Sequence, residues 1–308
     1  MTMTNQYGLD PMKLKPVFAE RVWGRKSLQP WFGETGTEEK VGEAWLTGPE
    51  CEVVGGEHDG RSFKDVATQC VGTLGDGEFP LLVKILFPDE KLSVQVHPDD
   101  EQAKLLGLKR GKTECWYVLE AEPGAEVACG LKSGVGIEDV RAAVADGTLE
   151  EKLLMVPVEK GDMVFVDAGT VHAIGPGVTL LEVQQMCDVT YRLFDYGRPR
   201  ELHLDQGLAV VKTKTNAGKR LAKDDEAFTR LIKEKYFVVD RFEVPPGTTF
   251  EMEMDGVGCV VGVEGKAAVN AVRFGMGEAV VIAVGSVAMS SAEGATFLRV
   301  WEPPQEGS

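Results

Sequence analysis

Apolar positions along this chain recur mostly at the alternating or continuous spacings of β-strands, with helical spacing confined to a few stretches. Residues 41–46, 51–54, 81–87 and 92–96 read as strands, and 63–74 as a short amphipathic helix with Ser62 as its N-cap. Asp99, Asp100 and Glu101 follow Pro98 and complement a helix dipole, so a helix over 99–106 is expected to end the preceding strand. Between Ser133 and Met155, Ile137, Val140, Val144 and Leu149 recur at helical spacing, which predicts one or two helices inserted into a β scaffold. Residues 213–219, polar and lysine-rich, suit a linker. From Tyr236 to Trp301 short strands are punctuated by Pro245, Pro246, Gly247, Gly262, Gly265, Gly275, Gly277 and Gly285, the spacing of a small β sandwich or barrel.

An internal repeat sharpens this picture. Residues 161–172 align without gaps on 277–288, with both glycines, the acidic second position and the apolar run coinciding, and 114–118 can be laid on 258–262. Two positions differ in kind: Ala288 replaces His172, and Gly258 replaces Glu114. The run from Gly161 through Gly169 to His172 resembles the second signature of the cupin barrel family, with Asp167 at the family's usual proline. Two copies imply a bicupin: mainly β, with an N-terminal catalytic unit over 1–212 that carries the helical insertions and a metal-free unit over 220–308.

Composition narrows the function classes. The chain has 308 residues, 43% of them apolar, enough for a buried core. Its six cysteines, Cys51, Cys70, Cys115, Cys129, Cys187 and Cys259, form no Cys-x-x-Cys pair, which suits a reducing cytosol better than a disulfide framework. No secretory leader or membrane-length apolar stretch is present, so a cytoplasmic protein is expected. A formal charge of −16 disfavours nucleic acid and acidic membranes as partners. An anionic small substrate remains open, because at physiological salt the global field is screened beyond about 8 Å and local Lys and Arg take control.

The chemistry concentrates in Gln95-Val96-His97-Pro98-Asp99-Asp100, Gly111-Lys112-Thr113-Glu114-Cys115-Trp116-Tyr117 and Gly169-Thr170-Val171-His172-Ala173. On a strand alternate side chains share a face, so Gln95 and His97 can point together while Val96 packs behind them. With Glu114 and His172 from neighbouring strands, two imidazoles, an amide oxygen and a carboxylate form a metal-ligand set with one position left for water or substrate. Alone, either histidine reads more readily as a satisfied core residue than as a ligand.

Together with Trp23-Gly24, Gly42-Glu43-Ala44-Trp45, Leu181-Glu182-Val183-Gln184-Gln185 and Tyr191-Arg192-Leu193-Phe194-Asp195-Tyr196, these segments resemble type I mannose-6-phosphate isomerase, most closely its short bacterial form. The resemblance runs in order from about Val22 to Ala209. It implies one Zn²⁺ per chain on Gln95, His97, Glu114 and His172, an active-site arginine at Arg192, and a sugar phosphate substrate. Where the family usually shows a serine after Gly-Glu-Ala-Trp, this chain has Leu46-Thr47-Gly48, leaving the Thr47 hydroxyl as the substrate-binding candidate there.

Aldose–ketose exchange removes a proton from the carbon beside a carbonyl, so the developing enediolate needs a Lewis acid and a fixed cation. Arg192 suits the second task because guanidinium stays charged. Glu182, ten residues after His172, is the candidate general base, although a carboxylate that only orders a ligand reads the same way. Lys112 shares a strand face with Glu114 and can hold a sugar oxygen or the phosphate. Arg198 joins Lys112 and Thr47 as a substrate-binding candidate, with Lys91 and Arg200 behind it. Two other readings stay open: a different metal-dependent cupin enzyme, such as an oxygenase, and a sugar-phosphate-binding regulator without catalysis. The sequence leaves monomer and homodimer equally open.

Overall fold

The computed structural model describes residues 9–33 and 37–304. It is mainly β, with four α-helices among the described residues. Two antiparallel sheets face each other to form the first sandwich. One orders Gly218–Arg220, Met163–Val166, Glu114–Ala121, Val178–Gln185, Leu81–Leu86, Val41–Trp45 and Val17–Arg25. The other orders Tyr191–Phe194, Val94–Val96, His172–Ile174, Glu126–Leu131 and Leu153–Pro157. Strand alternation sorts their side chains: Trp116, Val118, Val164, Val166, Leu180, Val127 and Ile174 fill the space between the sheets. The outer face of the smaller sheet, with Val94, Val96, Ala173 and Leu193, is covered by helices Ile137–Asp146 and Leu204–Val210 through Val140, Ala143 and Leu208.

The outer face of the larger sheet packs on a second, eleven-stranded sheet built mostly from the C-terminal part of the chain. Cys115, Tyr117, Met163, Phe165 and Leu181 meet Phe237, Cys259, Val261, Val281 and Val300 in one continuous apolar cluster. That second sheet branches at the long strand Gly258–Val269, which pairs with Ala279–Ile282, Ala295–Trp301, Val272–Gly275 and Gly285–Ser291. Its two arms enclose Phe242, Met252, Met254, Val260, Val280, Met289 and Phe297.

The repeat is present as pairing register. In the first sandwich Glu114, Cys115, Trp116 and Tyr117 lie opposite Val166, Phe165, Val164 and Met163. In the second, Gly258, Cys259, Val260 and Val261 lie opposite Ile282, Val281, Val280 and Ala279, position for position what the sequence alignment requires. The copies diverge in the space each allows. A Cβ at Gly258 would stand 2.0 Å from the Val300 carbonyl oxygen, so the position matching Glu114 admits no side chain.

Some elements differ from the expectation. The helix after Ser62 covers only Phe63–Gln69, with the Ser62 hydroxyl accepting the Asp65 N–H as expected of an N-cap. The segment up to Met155 holds one helix, ended by Gly147 at φ 79°, then a 3-10 turn at Leu149–Lys152 and an edge strand that includes Met155. The linker stretch ends in Gly218–Arg220, which pairs with Met163–Val166. Strands Met12–Lys15 and Glu52–Val54 leave their sequence neighbours and join the second sheet, the first of them pairing with Ala279–Ile282. No helix among the described residues is long and apolar enough to cross a membrane.

Candidate metal centre

Three strands bring the first ligand candidates side by side. Gln95 sits opposite His172 on one neighbour and opposite Arg192 on the other. Val94 and Val96 pack outward under the helices, so alternation turns Gln95 and His97 inward. Glu114 opens a strand of the facing sheet, where its register partners are Val166 and Gln184. The donor atoms of His97, Glu114 and His172 lie within 4.8 Å of one another, all buried. His172 Nε2 is 3.4 Å from Glu114 Oε1 and His97 Nε2 is 3.5 Å from Glu114 Oε2. The Gln95 amide joins them, its Nε2 3.2 Å from His172 Nε2.

Backbone contacts hold the two rings in one orientation. Nδ1 of His97 lies 2.9 Å from the Val189 carbonyl, and Nδ1 of His172 lies 2.9 Å from the Thr170 carbonyl. A carbonyl can only accept, so each Nδ1 carries the proton and each Nε2 keeps its lone pair facing Glu114. Burial opposes protonation of both rings: it drives His97 well below the usual imidazole range, with Lys112 adding to the effect, and pushes His172 down to about 4. Neutral imidazoles are the form that ligates metals.

Around these donors lies a chain of buried charges. Lys112 Nζ stands 3.0 Å from Glu114 Oε2 and 3.1 Å from His97 Nε2. Burial works against its charge, but Glu114 and Glu182 prevail and its pKa rises. The Trp116 indole N–H points between two carboxylates, 3.2 Å from Glu114 Oε1 and 3.2 Å from Glu182 Oε1. Burial, followed by the charge of Glu114, raises the Glu182 pKa, against the pull of Lys112 and Lys84. Lys84 Nζ in turn lies 3.5 Å from Glu182 Oε2, 3.2 Å from Asp188 Oδ1 and 4.0 Å from Glu43 Oε2. Pairing register explains these neighbours, since Glu182 sits between Lys84 and Trp116 on adjacent strands.

The cluster opens on a cavity of about 490 Å³ lined by Gln95, Lys112, Glu182, Lys84 and Arg192, together with Arg21, Glu43, Asp188 and Arg200. Of the residues named from sequence, then, the fold gathers Gln95, His97, Glu114, His172, Lys112, Glu182 and Arg192. Arg192 Nη1 donates to the Glu201 carbonyl at 2.7 Å, and its Nε is buried with no hydrogen-bond partner among the described residues.

Two substrate-binding candidates stand apart from the cavity. Thr47 is fully buried, its hydroxyl donating to the Leu81 carbonyl and accepting the Val83 N–H at 2.9 Å each, so it stitches backbone. Arg198 bonds the Lys91 carbonyl and lies over the Tyr196 ring, and Lys91 pairs with Glu150 at 2.8 Å. Arg200 does line the cavity, held by Asp195 through two bonds of 2.7 Å. Sequence reasoning missed Lys84, Asp188 and the Arg21–Glu43 pair. For Lys84 a signal existed: it is the lone charge in the apolar strand Leu81–Leu86. A buried charge in such a run implies a partner.

Residues 12–123 match the family model described as phosphomannose isomerase type I, catalytic domain. The chain is 35% identical over 262 residues to mannose-6-phosphate isomerase ManA of Bacillus subtilis (strain 168), covering 79% of this chain and 82% of that protein. It is 36% identical over 215 residues to a mannose-6-phosphate isomerase of Streptococcus mutans, covering 66% of this chain and 68% of that one. The crystal structure of the Bacillus subtilis mannose 6-phosphate isomerase superposes with a TM-score of 0.81 at 27% identity, over 95% of this chain and 99% of that one. A variant of phosphomannose isomerase from Salmonella typhimurium superposes with a TM-score of 0.77 over 96% of this chain and 100% of that one. At 17% identity that second likeness concerns the fold.

Proposed function

The chain belongs to the type I mannose-6-phosphate isomerase family and is an aldose–ketose isomerase, and on that premise we propose that it interconverts mannose 6-phosphate and fructose 6-phosphate around a zinc ion held by Gln95, His97, Glu114 and His172. The observation that carries this reading is the convergence of these four side chains in a buried cluster that meets, through Gln95 and Lys112, a cavity also presenting Glu182, Lys84 and Arg192. The donors fit such an ion: two imidazoles kept neutral by burial, one carboxylate and one amide that can turn its oxygen inward. We place the catalytic unit at residues 1–212 and the metal-free unit at 220–308. A reducing compartment suits the six free thiols.

When bound, zinc supplies a Lewis acid that polarises the sugar carbonyl, and with a single carboxylate ligand it keeps one positive charge for that task. The remaining work falls to the protein. Glu182 takes the proton from the carbon beside the carbonyl and returns it to the neighbouring carbon, which a carboxyl raised toward neutrality does best. Trp116 and Lys84 hold one oxygen of Glu182 each, fixing the direction in which it meets the substrate. Arg192 shares the negative charge of the enediolate, a role supported by its register position opposite Gln95 and its place in the cavity lining. Lys112 borders both the ligand carboxylate and the cavity, where it meets a sugar oxygen. Five cations, Arg21, Lys84, Lys112, Arg192 and Arg200, line this cavity beside four carboxylates, a small local excess of positive charge in a chain of net charge −16 that supports a phosphate-bearing substrate.

A coupled assay for fructose 6-phosphate formation, run on enzyme of measured metal content, tests the reading. Activity should disappear with complete chelation and return with stoichiometric zinc. Undiminished turnover by fully demetallated protein would refute it.

A further inference from the structure

The two segments that carry His97 and Glu114 are tied together at one carboxylate outside the ligand set. Asp100 opens helix Asp100–Leu105, three residues after His97. Its Oδ1 accepts the Gly111 backbone N–H at 2.9 Å and a Gln185 side-chain N–H at 2.9 Å. Gln185 in turn accepts the Thr113 backbone N–H at 3.0 Å. Gly111 and Thr113 flank Lys112 and lead directly into Glu114, so Asp100 sets the spacing between the strand that ends just before His97 and the strand that begins at Glu114.

The other oxygen of Asp100 is held from the second sandwich. The Tyr236 hydroxyl donates to Oδ2 at 2.6 Å, with Lys235 Nζ at 3.6 Å behind it. Tyr236 lies in the turn between Thr229–Lys233 and Val238–Val244, and its neighbour Phe237 is fully buried, with its ring 6.3 Å from that of Phe165. The turn is therefore anchored in the apolar contact between the sandwiches, and a short hydrogen bond to a carboxylate belongs to the stronger class.

We propose that Tyr236 is a positioning residue: its hydroxyl is the strut through which the copy lacking ligands holds Asp100, and through Asp100 the His97 and Glu114 segments, at ligating distance. The second copy cannot bind a metal at Gly258, yet it steadies the centre that the first copy retains. This inference rests on the metal-centre reading above. Partners one step beyond the ligands typically account for 10–100-fold in metal affinity, so a strut one step further out should account for about 5–10-fold.

The test measures zinc affinity by chelator competition, with the visible spectrum of the cobalt-substituted protein as a second readout. Tyr236→Phe keeps the ring and removes the hydroxyl. It should weaken zinc about 5–10-fold and broaden the cobalt bands, both read well below the melting temperature of the metal-free variant so that the lost hydrogen bond's effect on folding does not enter. In an Asp100→Ala background the same change should add nothing, because the joint is already gone. Zinc affinity of the Tyr236→Phe variant within twofold of the parent overturns the strut, as does a loss that persists undiminished in the Asp100→Ala background. A parent protein that binds no zinc overturns the metal-centre reading itself, which separates the two failures.

Discussion

Replacing Lys84 by methionine probes the charge balance of the cavity most directly. The ammonium is 3% exposed and stands 3.5 Å from Glu182, whose side chain is 5% exposed. At an effective dielectric of about 20, attraction across that distance is roughly 5 kcal/mol, partly offset by the cost of burying the ammonium itself. Methionine keeps the volume and leaves Glu182 facing Glu43 and Glu114 with only Lys112 opposing them. Breaking a buried pair on one side typically costs about 3–5 kcal/mol; the lower end applies here because Glu43 retains Arg21 and Asp188 is half exposed. The sign for catalysis follows from the same pair. Lys84 favours the ionised form of Glu182, so its loss raises the Glu182 pKa further. A base that must be ionised then fails sooner on the acid side, and the acid limb of kcat/KM moves to higher pH, with activity recovering as pH rises. Coupled assays across pH on samples of matched zinc content, together with urea melts, read both effects. A pH profile and a melt that superimpose on the parent's would refute the assigned role of the Lys84–Glu182 pair.

Three further perturbations test separate parts of the structure. Glu182→Gln should retain zinc and lower proton exchange between solvent and the sugar carbon by about 10²–10⁴-fold, the usual share of acid–base catalysis; exchange at the parental rate, followed by deuterium incorporation, removes Glu182 as the base. His172 is held neutral in the folded state, so its contribution to the stability of metal-free protein is complete above the unfolded value of 6.5 and is lost as pH falls through about 4. That window is worth roughly 3 kcal/mol, and the urea midpoint should fall more between pH 7 and pH 4.5 for the parent than for His172→Gln; equal falls would contradict the assignment. Gly258→Ala forces a Cβ to 2.0 Å from a carbonyl oxygen and should lower stability by about 3 kcal/mol or more; an unchanged urea midpoint would show that the second copy has room the structure denies it.

Much of the candidate site was legible in the chain because its information is local. Gln95 and His97 share a face through strand alternation alone, and the residue types at 95, 97, 114 and 172 carry the ligand chemistry wherever the strands run. The repeat was legible for the same reason: a gapless alignment fixes strand register once both copies form strands, and Glu114 opposite Val166 has its counterpart in Gly258 opposite Ile282. Lys84 and Asp188 escaped notice because their meeting with Glu182 depends on which strands are neighbours. The same gap explains Thr47 and Arg198, whose residue types suit a phosphate but whose side chains are engaged away from the cavity, Thr47 by the Leu81 and Val83 backbone and Arg198 by the Lys91 carbonyl.

By itself, then, the amino-acid order determined the strand-rich architecture and the gapless repeat, both of which follow from spacing along the chain, and it supplied the residue types of the candidate site. Only the tertiary structure decided that Met12–Lys15 and Glu52–Val54 cross to the second sheet, that a lysine from Leu81–Leu86 sits among three carboxylates, and that Tyr236 reaches Asp100 across 136 positions of sequence. The physical reason is common to all three. Each is a contact between chain segments distant in sequence, chosen by how the sheets bury their apolar faces against one another, and no local pattern encodes which faces will meet.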